Sequence, residues 1–325
     1  LNVAMDKAPY RLSIVATSAE ELGRKLHLAI ERLMDTQRRQ IKDMQGIYFF
    51  EEPLQGKLAF MFPGEGAQYL NMLADLCLHF SEVRRCFDQI DQAFVEQQRG
   101  YLPSSIIFPP PSFSKEERAA AEARLWEMDG ALEAVLTANW GLSKLLSALQ
   151  IEPDMIVGHS SGEFSAMLAA GVAEVNDTYF RNISILNEHY KRAAVKGEIP
   201  EAVMIAAGMG YKTASAIVNN VDGKIYVAMN NCPHQTVIVG EKAAAEQVIE
   251  RLRARGILYE KLPFNRAYHT PMFEETCKKL HAYFDHVPMR APKTEIYSCW
   301  TAKPFPTESE AIQNIVVDHW MHPVK

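Results

Sequence analysis

Short apolar runs alternate with segments of helical periodicity through most of the chain. The apolar runs at residues 57–62, 154–157 and 295–298 have the length of buried strands. Helical patterns lie beside them, at residues 69–77, 131–149, 164–173 and 273–284. This alternation of strands and helices predicts a fold of the α/β class.

Residues 203–262 carry a different pattern, in the order strand, helix, strand, strand, helix, strand. The strand-like runs are at 203–209, 225–229, 236–240 and 258–262, and the helical segments are at 211–221 and 242–256. This order is that of a ferredoxin-like unit. We therefore predict an α/β-hydrolase-like large subdomain, residues 57–200 and 264–325, with an inserted ferredoxin-like small subdomain at residues 201–263.

Residues 1–56 have the pattern of a small unit of their own. A strand-like run at 11–17 precedes Ser18, and Glu21 three positions later completes the signature of a capping box. The helix is predicted to reach about residue 34, and another strand follows at 47–50. With so few strands, this unit is expected to pack against another part of the chain.

Composition narrows the class of function. The chain has 325 residues, 48% of them hydrophobic, which is enough for one large domain or two smaller cores. The net charge of −6, with both signs spread along the chain, argues against a nucleic-acid partner. The longest apolar stretches are too short to cross a bilayer and no signal peptide is evident, which argues against a membrane partner. The chain begins with Leu1 rather than Met, so we expect it to be a piece of a longer polypeptide.

Cysteine and histidine positions predict neither disulfides nor a metal site. The five cysteines are an odd number without Cys-x-x-Cys spacing, which favours reduced thiols and a cytoplasmic protein. His281 and His286, like His319 and His322, have spacings that packing or surface positions explain better than metal ligation.

The strongest chemical motif is Gly-His-Ser-Ser-Gly-Glu at residues 158–163, between a strand and an Ala-rich helix. Gly-x-Ser-x-Gly in this context is the signature of a nucleophile elbow, whose sharp turn requires small residues on both sides of the serine. Gly158 and Gly162 meet that need, so Ser160 is predicted to be a nucleophile. The helix N-terminus and the N–H of Ser161 would favour negative charge on a bound oxygen. A Ser/Gly-rich loop without chemistry is the alternative.

A serine nucleophile needs a base, and histidines at loop positions are the candidates. His269 is the strongest, because it follows a strand, precedes a helix and has its backbone restrained by Pro271. His159 is next to the serine, but a neighbour on a tight turn points elsewhere, and His234 is a turn residue. On chemistry alone His269 leads, and the other histidines remain open.

A glycine-rich turn, Pro-Gly-Glu-Gly-Ala-Gln at residues 63–68, follows the strand at 57–62. A phosphate cradle is one interpretation, but no Lys-Ser or Lys-Thr pair follows the glycines. We prefer a second interpretation, in which backbone N–H groups of this turn face Ser160.

Four motifs in the chain resemble the acyltransferase domain of type I polyketide synthases, a family that includes the malonyl-carrier transacylases of fatty acid synthesis. They are Phe-Pro-Gly-Glu-Gly-Ala-Gln at 62–68, Gly-His-Ser-Ser-Gly-Glu at 158–163, Ala-Tyr-His-Thr-Pro-Met at 267–272 and Ile-Tyr-Ser at 296–298. Residues 1–56 resemble the linker that joins a ketosynthase domain to the acyltransferase. The Gly-Glu-Gly-Ala-Gln form is most similar to iterative synthases of the enediyne and polyunsaturated fatty acid type.

The resemblance implies a mechanism and partners. Ser160 would attack an acyl-CoA thioester, His269 would act as base and then as acid, and the phosphopantetheine thiol of an acyl carrier protein would collect the acyl group. The N–H groups of Ser161 and Glu65 would form the oxyanion hole, and a main-chain carbonyl that maps to Cys299 would orient the histidine. No bound cofactor or metal is implied. The partners would be the carrier protein and a flanking ketosynthase domain, and the fragment itself would be a monomer.

The residues expected near the acyl group depart from the family pattern in three ways. Malonyl-using members carry an arginine on the helix after the elbow, where this chain has Ile185; Arg181, one turn earlier, either reaches the same place or is a surface charge. Glu65 replaces a glutamine. This change has no effect if only the backbone N–H acts, but the added charge repels a malonyl carboxylate if the side chain faces the pocket. Tyr268 is bulky enough to crowd an α-methyl branch. Arg266 either supplies the missing positive charge or points to solvent.

These positions, together with His159 beside the nucleophile, make up the predicted substrate-binding set. The bulk of Tyr268 favours an unbranched acyl group. Malonyl is therefore preferred, and an uncarboxylated group such as acetyl is the alternative. A serine hydrolase that releases acyl groups to water, and a docking domain with a vestigial site, are the competing functions. The predicted small subdomain favours transfer, because it would wall a cleft and could dock a carrier.

Overall fold

The computed structural model describes the chain at residues 10–52, 55–95, 100–174, 192–193, 195–263, 265–284 and 287–325. Its contacts divide the chain into two units, Leu1–Lys57 and Leu58–Lys325. This division lies one residue after the predicted end of the N-terminal unit at residue 56.

In the described part of the N-terminal unit, helix α1 (Ala19–Leu33) accompanies an antiparallel sheet with strand order β1-β3-β2. The strands are β1 (Arg11–Ile14), β2 (Gln40–Asp43) and β3 (Ile47–Phe50). Helix α1 begins where predicted, because Ser18 Oγ accepts the N–H of Glu21 at 3.1 Å. The Glu21 carboxylate accepts the N–H of Thr17 at 2.7 Å, one residue before the position that a capping box requires.

The larger unit contains a parallel sheet and an antiparallel sheet. Its strands are β4 (Ala59–Phe62), β5 (Met155–Gly158), β6 (Val203–Ala207), β7 (Ile225–Cys232), β8 (Gln235–Gly240), β9 (Tyr259–Lys261) and β10 (Glu295–Tyr297). In the parallel sheet β5 is central, in the order β10-β5-β4. Ile156 on β5 is buried. Because β5 is the central strand, its end brings the nucleophile motif to the middle of the sheet edge.

The described helices of the larger unit lie in both of its subdomains. They are α2 (Ala74–His79), α3 (Ser81–Val95), α4 (Pro103–Ile107), α5 (Lys115–Leu125), α6 (Met128–Ala148), α7 (Gly162–Ala169), α8 (Tyr211–Val218), α9 (Lys242–Ala254), α10 (Glu274–Phe284) and α11 (Ser309–Asp318). Helix α7 contacts both β4 and β5, and α6 contacts α7 and α3. Among the described helices, none combines the length and the apolar character that crossing a bilayer requires.

Two predicted segments differ from the structure. The helix expected from residue 69 begins only at Ala74, because Asn71 and Leu73 have φ values of 60° and 63°, which a right-handed helix cannot contain. The stretch expected to be irregular, 101–116, contains α4, which starts at Pro103. Proline is favourable at a first helical position because the N–H that it lacks would have no partner there.

The small sheet has the strand order β7-β8-β6-β9, with antiparallel pairing throughout. Numbered along this segment, its strands are in the order second, third, first and fourth, so the predicted ferredoxin-like arrangement is confirmed. Helices α8 and α9 cover the sheet and share a core with it that includes Ile205, Ile217, Ile238 and Leu252. The prediction of an α/β fold with a large and a small subdomain is confirmed.

Candidate active site

The turn between β5 and α7 carries the predicted nucleophile, and its backbone is sharply bent. Ser160 has a φ of 54°, in the left-handed region that residues with side chains seldom adopt. A Cβ on Gly162 would lie 2.6 Å from the carbonyl oxygen of Pro63, and one on Gly158 would overlap the backbone of Glu163. Only glycine therefore lets β4, β5 and the start of α7 meet at this turn.

The structure brings Ser160 and His269 together from positions 109 residues apart. Ser160 Oγ lies 2.7 Å from His269 Nε2, which is a hydrogen-bond distance. The two residues are 7% and 1% exposed. The hydroxyl and the imidazole are thus placed for transfer of a proton from Oγ to Nε2.

Main-chain carbonyl groups hold His269. Its Nδ1–H donates to the carbonyl oxygen of His319 at 2.9 Å, and the carbonyl oxygen of His322 lies 3.3 Å from the same nitrogen. The backbone N–H of His269 donates to the carbonyl oxygen of Trp320 at 2.7 Å. Since a carbonyl oxygen only accepts, Nδ1 must carry the hydrogen and Nε2 the free lone pair.

The prediction that the carbonyl of Cys299 orients His269 is wrong. The Cys299 carbonyl accepts the backbone N–H of Lys325 at 2.8 Å. The acceptor for His269 comes instead from a single 3-10 turn, His319–Met321, which follows α11. Every residue has a backbone carbonyl, so no side-chain pattern in the sequence indicates which one will accept this hydrogen bond.

Burial dominates the electrostatics of His269. It lowers the pKa of the imidazole to about 4, and the hydrogen bond to the His319 carbonyl opposes this shift only in part. The reason is that the charged ring is poorly solvated in the interior. The imidazole is therefore neutral at pH 7, the form that accepts a proton.

The rate of Ser160 acylation is expected to fall in acid as His269 takes up a proton. A base whose pKa is lowered works above that pKa and is lost below it, so the loss should be centred near pH 4 rather than at 6.5. Below the midpoint the rate should drop about tenfold per pH unit. Rapid-quench mass spectrometry of the acylated chain measures this limb. A loss of tenfold per pH unit that begins near pH 6.5, the ordinary pKa of an imidazole, would contradict a buried base.

The glycine-rich turn after β4 lies against the nucleophile turn. The N–H of Glu65 donates to Ser161 Oγ at 3.0 Å. Asn139 on α6 ties the turn from another side, because its Nδ2 donates to the carbonyl oxygen of Pro63 at 2.9 Å. The two residues predicted for the oxyanion hole, Ser161 and Glu65, are therefore neighbours, and the Ser161 hydroxyl is the acceptor for the Glu65 N–H in this structure.

Glu65 and Arg266, predicted as separate departures from the family pattern, form one buried ion pair. Arg266 Nη1 lies 2.7 Å from Glu65 Oε1, and the side chains are 13% and 8% exposed. Burial raises the pKa of Glu65, and the nearby guanidinium opposes this shift. Arg266 therefore does not point to solvent, which was one of its two predicted roles.

Tyr268 lies between this ion pair and the histidine. The Arg266 guanidinium is 5.7 Å from the centre of the Tyr268 ring, a distance typical of a cation–π contact. The same ring lies 6.5 Å from the ring of His269 and 4.8 Å from that of Trp320. Tyr268 thus forms part of the wall behind the imidazole, and burial raises the pKa of its phenol.

The remaining predicted substrate residues have different outcomes. Arg181 and Ile185 lie outside the described residues. His159 Nε2 is 2.8 Å from Asn231 Oδ1 on β7, so this ring contacts the small sheet. A cavity of about 510 Å³ opens at this point, and its lining includes His159, Asn231 and Lys325. Neither Ser160 nor His269 lines this cavity, so a substrate contact of His159 stays a prediction.

Glu163 and the carbonyl groups of His319 and His322 had no predicted role at the site. The Glu163 carboxylate accepts the N–H of Cys299 at 3.1 Å and its thiol at 3.3 Å. Its sequence signal is its position as the last residue of the motif at 158–163 and the one charged residue of α7. Within the described ranges, no group of three or more His, Cys, Asp or Glu side chains forms a candidate metal site.

The acyl transferase domain family matches residues 59–325. Among curated proteins, the highly reducing polyketide synthase Preu5 of Preussia isomera is 28% identical over 272 residues. That match covers 82% of this chain and 9% of Preu5. The chain therefore spans about a tenth of the length of the curated relatives that it matches, among them a second synthase of which it covers 10%.

Two solved structures share the fold at the same level of identity. The malonyl CoA-acyl carrier protein transacylase of Coxiella burnetii is 25% identical, with a TM-score of 0.70 over 82% of this chain and 80% of that one. The acyltransferase domain from the second module of the salinomycin polyketide synthase is 25% identical, with a TM-score of 0.73 over 97% and 67% of the two chains. The chain belongs to the acyl transferase domain family and is an acyltransferase whose fold is similar to that of the malonyl CoA-acyl carrier protein transacylase and the polyketide synthase acyltransferase domain.

Proposed function

We propose that this chain transfers an acyl group from CoA to the phosphopantetheine thiol of an acyl carrier protein through an acyl-enzyme on Ser160. The observation that carries the proposal is the 2.7 Å contact between Ser160 Oγ and His269 Nε2. The other ring nitrogen, Nδ1, is already hydrogen-bonded to the carbonyl of His319. A neutral, oriented imidazole beside a serine hydroxyl is the arrangement that activates the oxygen for attack.

In the first half-reaction, Ser160 Oγ attacks the thioester carbonyl carbon while its proton passes to His269 Nε2. The tetrahedral intermediate collapses, the C–S bond breaks, and His269 returns the proton to the CoA sulfur. In the second half-reaction, His269 takes the proton of the phosphopantetheine thiol, whose sulfur attacks the serine ester. The C–O bond breaks and Ser160 recovers its proton, so no proton is gained or lost overall.

The N–H groups of Ser161 and Glu65 would stabilise the oxygen of the tetrahedral intermediate. The Glu65 N–H, now 3.0 Å from Ser161 Oγ, would exchange this neutral acceptor for the charged oxygen, which is the stronger one. In other enzymes, removal of one such donor raises the barrier by about 2.7–4 kcal/mol.

Malonyl is the acyl group that we propose first. The similar structure from Coxiella burnetii is a malonyl CoA-acyl carrier protein transacylase, which supports this choice. The Tyr268 ring, packed against Trp320 at 4.8 Å, supports an unbranched group because its bulk would crowd an α-methyl branch on an acyl group beside it.

An uncarboxylated group such as acetyl is the second candidate, and the Glu65–Arg266 pair favours it. The two charges are buried and bonded at 2.7 Å, so together they carry no net charge. A guanidinium that already holds a carboxylate attracts a substrate carboxylate less than a free one would.

One experiment tests the proposed function and decides between the two donors. The chain is incubated with malonyl-CoA or acetyl-CoA, its intact mass is measured, and a carrier protein with its phosphopantetheine is then added. We expect an adduct of the acyl mass on Ser160 that moves to the carrier. Release of free acid without transfer would indicate a hydrolase, and the ratio of the two adduct rates identifies the preferred acyl group.

Glu65→Gln is expected to raise the malonyl-to-acetyl ratio of Ser160 loading about tenfold, a change of about 1.4 kcal/mol. Glutamine has nearly the same size as glutamate but removes the negative charge, which leaves Arg266 free to bond the malonyl carboxylate. Rates with each donor, measured by rapid quench and mass spectrometry, give the ratio.

Glu198→Gln is the matched control for this ratio, because it removes the carboxylate of an exposed pair, 2.7 Å from Lys279. The control should leave the ratio unchanged. If Glu65→Gln changes both loading rates by the same factor, the ion pair does not influence donor choice.

A further inference from the structure

Glu163 is a buried carboxylic acid that the proposed transfer does not use. It lies in the first turn of α7, three positions after Ser160, and is 2% exposed. In the part of the chain that the structure describes, no lysine or arginine lies within ion-pair distance of its carboxylate. A buried carboxylate without a cation destabilises a fold, so its presence here needs a reason.

Glu163 contacts Cys299 on one side and, on the other, His319, which supports His269. Cys299 donates its N–H to Oε1 at 3.1 Å and its thiol to Oε2 at 3.3 Å. On the other side, His319 Nδ1 lies 3.8 Å from Oε2. The carbonyl of His319 is the acceptor for His269 Nδ1–H at 2.9 Å, so Glu163 borders the residue that orients the imidazole.

The ring of His319 is neutral and leaves a charge on Glu163 uncancelled. Its Nδ1–H donates to the carbonyl oxygen of Val316 at 2.8 Å. Its Nε2 is buried without a hydrogen-bond partner among the described residues. Burial lowers the pKa of this imidazole to about 3. The rings of His319 and His269 are 5.8 Å apart, so the neutral ring of His319 lies near both the carboxylate and the imidazole.

A carbonyl group orients a histidine but adds no net negative charge. When Ser160 gives up its proton, His269 becomes an imidazolium in a site where burial disfavours the charged form. In serine-histidine-aspartate triads a carboxylate stabilises that imidazolium. Glu163 is a buried carboxylic acid on the His319 side of His269, where the same electrostatic effect is available without direct contact.

We propose that Glu163 is a positioning residue for His269, acting through His319, and that its ionised form stabilises the imidazolium formed during acyl transfer. The inference rests on the proposed Ser160 acyl-enzyme. Glu163 exchanges its own proton with solvent and takes none from His269.

The charge of Glu163 changes within the neutral range, because burial raises its pKa to about 7. The groups that face its carboxylate are Cys299 and Ser298 from the segment after β10, and His319 from the turn after α11. The titratable groups around His269 are His319 and His159. Both His319 and His269 are neutral at pH 7, so ionisation of Glu163 adds a negative charge on the His319 side of the pair.

Glu163→Gln tests the proposal, because glutamine keeps the volume and an acceptor for Cys299 but never ionises. In the wild-type chain, the Ser160 acylation rate should rise about tenfold between two plateaus with a midpoint near pH 7. Glu163→Gln should stay on the lower plateau across the same range. Rapid-quench mass spectrometry with the donor that labels Ser160 measures the rates, and circular dichroism confirms that the variant is folded.

Asp91→Asn is the matched control. Burial also raises the pKa of Asp91, but its carboxylate accepts the N–H of Ser104 at 2.9 Å, between α3 and α4. This variant should keep the rise near pH 7. Glu163→Asp keeps the charge and should keep part of this rise. If Glu163→Gln does not fold, the pH profiles of Glu163→Asp and of the wild-type chain test the proposal in its place.

Two results would overturn the inference: a wild-type profile without a rise near pH 7, or a Glu163→Gln profile of unchanged shape. If Glu163→Gln lowers the acylation rate by the same factor at every pH, the profile keeps its shape, and Glu163 has only a structural role. If the wild-type chain forms no adduct with either donor, the proposed function fails, and that outcome is distinguishable from both.

Discussion

Replacing Ser160 with alanine is expected to abolish the acyl adduct with malonyl-CoA and with acetyl-CoA. The proposed nucleophile is the Oγ that lies 2.7 Å from His269 Nε2, and alanine has no atom that can form the ester. Loss of a nucleophilic serine lowers turnover by more than about a thousandfold in serine enzymes. Intact mass after exposure to each donor, followed by peptide mapping, measures the adduct and its position.

Ser161→Ala is the control for this result, because it removes a hydroxyl from the same turn. Ser161 Oγ accepts the N–H of Glu65 at 3.0 Å and is not expected to form the ester. We expect the adduct to persist in this variant. An adduct that survives Ser160→Ala, or that maps to Ser161, would place the nucleophile elsewhere and reject the proposed mechanism.

Replacing His269 with alanine is expected to slow acylation of Ser160 by about a thousandfold, within the range that general-base catalysis contributes. The imidazole is the group in hydrogen-bond contact with the hydroxyl, and its lowered pKa keeps it in the basic form at neutral pH. The single-turnover rate of adduct formation measures the effect. Since His269 is buried, circular dichroism should accompany the rate to confirm that the variant folds.

His234→Ala is the control, because the sequence also allowed this turn residue as the base. His234 is exposed in the turn between β7 and β8, away from the described contacts of Ser160. The variant should load Ser160 at the wild-type rate. Equal rates for His269→Ala and the wild-type chain would mean that another group takes the serine proton.

The nucleophile turn could be predicted because its signal is local and steric. A strand, a turn with glycine on both sides of a serine, and a helix are all read within one short stretch of sequence. The structure adds the reason, since a Cβ on Gly162 would lie 2.6 Å from the carbonyl oxygen of Pro63. The strand order of the small sheet was predictable for a similar reason, because the order of strands and helices along the chain restricts how they can pair.

The support of His269 could not be predicted in the same way. The sequence pointed to His269 through its loop position, but the carbonyl assigned to orient it, that of Cys299, was the wrong one. The acceptors belong to His319 and His322, which the sequence placed in packing or surface roles. A hydrogen bond to a backbone carbonyl depends on where a turn lies, and side-chain identity does not encode that.

The Glu65–Arg266 pair is a second feature that needed the fold. The two residues are 201 positions apart, and the sequence suggested an independent effect for each one. Their contact shows that two unusual charges compensate each other. The substrate-binding prediction for Arg181 and Ile185 stays a prediction, because both lie outside the described residues.

The sequence by itself determined the fold class, the position of the nucleophile turn and the leading candidate for its base. Each of these follows from short-range rules: apolar periodicity, the small residues that a tight turn demands, and a histidine restrained by a nearby proline. Only the tertiary structure decided which carbonyl holds the imidazole, which cation meets Glu65, and that Glu163 lies buried behind His319. These are contacts between distant segments, and their energies depend on distance and burial, which exist only once the chain has folded.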